Sequence, residues 1–375
     1  LRAVAALAVF ATHLGQPSGF TSTSFAGPLL ARLNLGVTIF FVISGFLLYR
    51  PWVSARLTGK PRPGLGRYAL RRATRILPAY WVALTVLGLL LPDLVRGVFS
   101  SDWWVYYGLL QVYSPDWVFG GLTVAWSLST EVAFYAALPL LAYVAVRALG
   151  SRSGAQQVTI ELAALAASAV AAIVMLEAAN QGSWGQTYPN TIAGKWPWFA
   201  AGMALAVGSA AEARGITPWF VRSARARPWL WWLGAASVLL VASLEQVLPR
   251  EVFTMGYRDV MLETVLFAVI AVLFVAPVVY LDAHPRLTPA SLLALRPIVW
   301  LGTISYGIFL WHHPIVLQAA AHYPEASIAW LGFVSLAITI VCAAGSWYLL
   351  ERPLMRTVHR RLGERETAAA DQAAP

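Results

Sequence analysis

Ten apolar stretches divide this chain, most of them near the roughly 20 residues of helix that cross a hydrocarbon core about 30 Å thick. They fall near residues 1–15, 34–50, 76–92, 125–147, 158–177, 191–210, 228–248, 259–281, 297–319 and 327–350. A chain so built cannot hide its apolar surface in one water-soluble core. Only 12% of its residues are charged, about half the share usual in soluble domains. The aromatic residues recur near the ends of the apolar runs, where amphipathic rings favour the membrane–water interface. The expected fold is therefore all-α: a polytopic membrane bundle of about ten transmembrane helices in a lipid bilayer. Residues 103–112 are too short to span and read as an interfacial or re-entrant piece.

A formal net charge of +10 does not mark a nucleic-acid reader, whose basic residues usually form a stripe on a soluble surface. Here they sit between apolar runs. Arg50, Arg56, Lys60, Arg62, Arg67, Arg71, Arg72 and Arg75 follow the second span, Arg214 to Arg227 the sixth, and Arg352 to Arg365 the last. Arg147, Arg152, Arg286 and Arg296 fill two further loops of that side, leaving Arg32, Arg96, Lys195, Arg250 and Arg258 opposite. With basic loops cytoplasmic, both termini are inside. The lone Cys342 excludes a disulfide framework and a cysteine-based zinc site. No internal repeat or soluble domain is evident. Residues 1–358 read as one transmembrane domain and 359–375 as a disordered cytoplasmic tail. The apolar run behind Arg2 suits a signal peptide or a truncated first helix, and the lack of a small-x-small cleavage site favours the helix.

Ionisable side chains inside spans are costly and tend to face a bundle interior or a watery cavity. Arg2 and His13 lie on one face of the first helix, separated by about 16 Å of rise. Glu131 enters the fourth span and shares a face with Ser127 and Tyr135. His312 lies two turns beyond Ser305 on the ninth. His13, Glu131 and His312 are thus expected at one depth, in the outer half. Two imidazoles and a carboxylate are the ingredients of a general-base site. They also suit plain structural hydrogen bonds, and Arg71, Arg72 and Arg75 suit topology anchors. The Glu351-Arg352-Pro353 string suits a helix end. Spacing alone says only that the bundle holds a polar cavity.

The same residues lie in five strings that together resemble the acyltransferase 3 family of membrane-bound O-acyltransferases. They are Arg2 to His13 with ten residues between, Gly36 to Phe46, Arg72-Ala73-Thr74-Arg75 to Tyr80, Trp126-Ser127 to Tyr135, and Ser305-Tyr306 to His312 with Pro314, followed by Glu351-Arg352-Pro353. The resemblance implies transfer of an acetyl or related acyl group from acyl-CoA, acetyl-CoA foremost, to a carbohydrate or glycosylated acceptor, without a metal. Relative to the family pattern, the sequence starts one residue before Arg2, and a hydrolase-like C-terminal domain is not expected.

Residues and resemblance together suggest one mechanism. Arg72 and Arg75, with Arg71 beside them, would receive the CoA phosphates at the cytoplasmic surface, because guanidinium forks match phosphate oxygens. His13 would be the base at the acceptor hydroxyl, oriented by Glu131 or His312, with Arg2 balancing charge near the thioester. Trp126, Ser127, Tyr135, Ser305 and Tyr306 are the expected substrate contacts. An acyl-histidine intermediate is a variant. The competing class is a carrier or flippase, whose helices would be broken near mid-membrane and related by inverted repeats; Pro139 and Pro277 are where breaks would fall. A third class is a structural membrane subunit, which would not respond to CoA. The sequence leaves the oligomeric state open.

Overall fold

The structure is a computed structural model that describes residues 1–180, 185, 187–250, 255–281, 289–358 and 360–362. Among the described residues there are helices and no strand. Each of the ten expected segments is helical: α1 Arg2–Gly15, α2 Leu35–Thr58, α3 Leu65–Leu90, α4 Ala125–Leu149, α5 Gly154–Asn180, α6 Ile192–Glu212, α7 Pro228–Ala242, α8 Tyr257–Tyr280, α9 Arg296–His322 and α10 Ile328–Ser346. Six of the described helical stretches, at α2, α3, α4, α5, α8 and α10, are long and apolar enough to cross a membrane by length and composition. Two shorter apolar helices are α1 and α7. Residues 103–112 form a short helix, Trp103–Tyr107, and a one-turn element starting at Gln111, too short to cross. Arg286 and all but residues 360–362 of the expected tail lie outside the described residues.

Local chemistry accounts for several helix boundaries. Gly59, at φ 71°, ends α2 in a left-handed conformation that costs glycine little. The Thr191 hydroxyl caps α6 by accepting from the Gly194 N–H, and Ser327 caps α10 by accepting from Trp330. Pro139 and Pro277 sit inside α4 and α8, and both helices run on through them.

α1 packs between α2 and α9; α9 continues to α10, and α2 to α6, which also meets α5 and α8. α3 and α4 lie across this row, α3 against α9 and α4 against α2. Close approach of α2 and α6 depends on two glycines. A Cβ on Gly202 would stand 2.1 Å from the Val42 carbonyl oxygen, and one on Gly45 would stand 2.5 Å from that of Phe199. Small residues let backbones meet where lipid supplies no hydrophobic drive between helices.

Several charges read as loop residues are instead packed. Arg56 lies within α2 and pairs with Glu161 of α5, which also accepts from the Tyr49 hydroxyl. Arg32 is wholly buried, donating to the Pro249 carbonyl and lying 3.7 Å from Glu263. Lys195 is buried in α6, its Nζ 4.3 Å from the Trp198 ring centroid and 5.5 Å from that of Trp126.

Candidate active site

Five helices, α1, α2, α3, α4 and α9, surround an internal cavity. Arg2, Arg72, Arg75, Ser127, Glu131, Tyr135, Ser305 and Tyr306 line it, with Ser44, Phe40 and Phe309 among the rest. Eight expected site residues from four distant strings thus converge on one space. Arg71 is exposed and does not line it, and Trp126 is engaged by Lys195 instead.

The charges within the cavity are unequal. Arg75 donates to Glu351 at 3.0 Å, and its guanidinium stacks over Trp347 and Tyr306. Among the described residues, Arg2 and Arg72 have no ion-pair partner. Glu131 accepts from the Ser44 and Tyr135 hydroxyls, the latter at 2.6 Å. Three guanidiniums and one carboxylate, Glu131, therefore line the cavity, with Glu351 pairing Arg75 from outside the lining, an arrangement that favours an anionic guest.

His13 and His312 form a second group. His13 Nδ1 lies 2.8 Å from His312 Nε2. His312 is fully buried, and its Nδ1 lies 3.0 Å from the Ile308 carbonyl and 2.9 Å from that of Phe309. Carbonyl oxygens only accept, so Nδ1 of His312 carries the proton and its Nε2, in the neutral ring, accepts. His13 must then donate from Nδ1. This fixes its tautomer and leaves a lone pair on Nε2, the atom a general base uses. His313 packs edge-on against His13 with ring centroids 4.6 Å apart.

The two groups are neighbours, not one site. Neither His13 nor His312 lines the cavity. Phe309 does, and its ring centroid is 6.1 Å from that of His312. Glu131 was expected beside the histidines; its hydrogen bonds run to Ser44 and Tyr135 in the arginine cavity, and His312 is the group in contact with His13.

Glu351 and Ser44 were not among the expected site residues. Glu351 ends a π-helical turn, Trp347–Glu351, that prolongs α10. π turns often mark functional places, and this one turns a carboxylate of side-chain exposure 1% toward Arg75. The Glu351-Arg352-Pro353 string was the signal. Ser44 lies in the Gly36 to Phe46 string, but a serine in an apolar helix is common and carries no signal of its own. Among the described residues, no group of three or more histidine, cysteine or acidic side chains is arranged to hold a metal.

Residues 1–349 match the family model described as an acyltransferase domain. The chain belongs to the acyltransferase 3 family. It is similar to the peptidoglycan O-acetyltransferase OatA of Listeria monocytogenes, 25% identical over 384 residues that cover 95% of this chain and 55% of OatA. YrhL of Bacillus subtilis is 28% identical over 97% of the chain and 55% of its own length. Nodulation protein 10 of Rhizobium leguminosarum is 26% identical over 92% of the chain and 87% of its own length. The chain thus spans about half the length of OatA and YrhL. No solved structure matches it. Its apolar helices and these relatives make it a multi-pass bacterial membrane protein.

Proposed function

We propose that the chain is a membrane O-acyltransferase that moves an acetyl or other short acyl group from cytoplasmic acyl-CoA to a hydroxyl of a carbohydrate or glycosylated acceptor on the far side of the membrane. The carrying observation is the paired arrangement: an arginine-rich cavity next to a histidine dyad whose hydrogen bonds leave one basic nitrogen free. In this reading all ten helices cross the bilayer and both termini are cytoplasmic. The name of OatA, a peptidoglycan O-acetyltransferase, supports a carbohydrate acceptor.

Arg72 and Arg75 would hold the phosphates of CoA, and Arg2 would add to the charge balance at the same end of the cavity. His13 Nε2 removes the acceptor hydroxyl proton as the hydroxyl oxygen bonds to the acyl carbon. The carbon–sulfur bond then breaks, and the same proton passes from His13 to the CoA sulfur. His312 orients His13 and accepts its Nδ1–H throughout, which stabilises the transient imidazolium. The products are an acyl ester and CoA thiol.

Thermal unfolding of the full chain in lipid nanodiscs, with and without CoA, tests the donor. CoA at a hundredfold excess over Kd stabilises a binding protein by roughly 3 kcal/mol. That stabilisation is expected for the wild type and for His13→Ala, and largely lost in Arg72→Ala. A wild type that ignores CoA sinks the reading.

A further inference from the structure

Three of the helices bounding the cavity, α2, α4 and α9, change character in the same direction. Along α9 the order is Ser305 and Tyr306, then Phe309 one turn on, then His312. On α2, Ser44 contacts Glu131, and Phe41, Phe40 and Val37 follow toward the α2 start. On α4, Tyr135 and Glu131 give way to Leu128, with the Ser127 hydroxyl beside it. The cavity is therefore charged at one end and largely apolar at the other, where Phe309 packs against His312. Two rings stand at that end. Phe40 and Phe309 meet edge to face, 6.4 Å between centroids, and Phe309 also touches the His312 ring. Phe309 thus stands between the cavity it lines and the His312 ring it packs against.

We propose that Phe40 and Phe309 are specificity-determining residues whose aperture admits short acyl groups to His13 and holds back both longer chains and water. The inference rests on the proposed acyl-CoA reading and deepens it. A thioester carbonyl held on the arginine side must pass these rings to meet the acceptor oxygen. An acetyl group carries one methyl beyond its carbonyl, whereas a longer chain must place each further methylene past the rings, where Phe309 already lies against His312. Water reaching the same carbonyl would bond its oxygen to the acyl carbon, release CoA thiol and give a free acid, with the water protons shared between acid and thiol. Apolar rings exclude it at no cost in hydrogen bonds.

The test measures CoA thiol release from acetyl-CoA and hexanoyl-CoA by the full chain in nanodiscs, without acceptor, in wild type, Phe40→Ala and Phe309→Ala. Both substitutions are expected to raise acetyl-CoA hydrolysis and to raise the hexanoyl-to-acetyl ratio by at least about tenfold, the scale on which an apolar pocket discriminates a methylene. Phe309→Leu, which keeps most of the volume, should shift the ratio less and serves if an alanine variant fails to fold. An unchanged ratio and unchanged hydrolysis in variants that CoA still stabilises would overturn the aperture while leaving the acyl-CoA reading intact. A wild type neither stabilised by CoA nor able to release thiol would overturn both.

Discussion

His13 and His312 divide the work of a base unequally. The Ile308 and Phe309 carbonyls fix the His312 tautomer, and His312 in turn fixes that of His13. His13→Ala removes the proton acceptor itself, and acyl transfer is expected to fall about 100- to 10,000-fold with CoA-dependent stabilisation retained. His312→Ala leaves the base in place but frees its ring, so the loss should be smaller, about tenfold to a hundredfold. Equal, near-normal turnover in both variants, measured as labelled acetyl transfer to cell-wall glycan in membranes, would remove the dyad from the chemistry. Helix rise alone brings His13 and His312 to one depth, but it does the same for Glu131, so which of the two meets His13 was not legible. Rise gives height along a helix, while which neighbour a side chain meets depends on how the helices are arranged sideways, and no spacing within one span encodes that.

At the scale of elements, α3 and α10 are joined by the buried Arg75–Glu351 pair. Removing one partner of a buried pair strands the other and typically costs about 3–5 kcal/mol. Arg75→Ala should therefore lower the unfolding temperature of the detergent-solubilised chain more than Arg75→Ala combined with Glu351→Gln. If the double variant is no more stable than the single, the pair does not act as a unit. The α2–α6 crossing is the other sensitive contact. Gly202→Ala sets a methyl group against the backbone of Val42, and overpacking of this kind costs about 1–3 kcal/mol; Gly45→Ala should behave alike, read in the same melt. The ten helical segments themselves were plain in the sequence, since apolar length is a local property. The π turn was not, because it is a single extra residue in a helix of ordinary composition. Nor were the buried fates of Arg32, Arg56 and Lys195: a basic residue at the edge of an apolar run looks like a loop charge until its partner on another helix is known.

For the molecule as a whole, the proposed reaction requires that donor and acceptor reach the bundle from opposite faces. The loop between α2 and α3, which leads into Arg72 and Arg75, must then open to the cytoplasm, and the segment between α3 and α4 to the other side. Both contain exposed positions, Arg62 and Asp116. With the lone Cys342 replaced by alanine, each can be changed to cysteine and probed with a membrane-impermeant maleimide. Asp116→Cys should be labelled in intact cells, and Arg62→Cys only after the membrane is opened. α4 and α8 run on through Pro139 and Pro277, so neither shows there the break by which a carrier would present its substrate to either face. Labelling of Arg62→Cys in intact cells would put the guanidinium end of the cavity outside. A cytoplasmic nucleotide thioester would then have no way to the arginines meant to hold it.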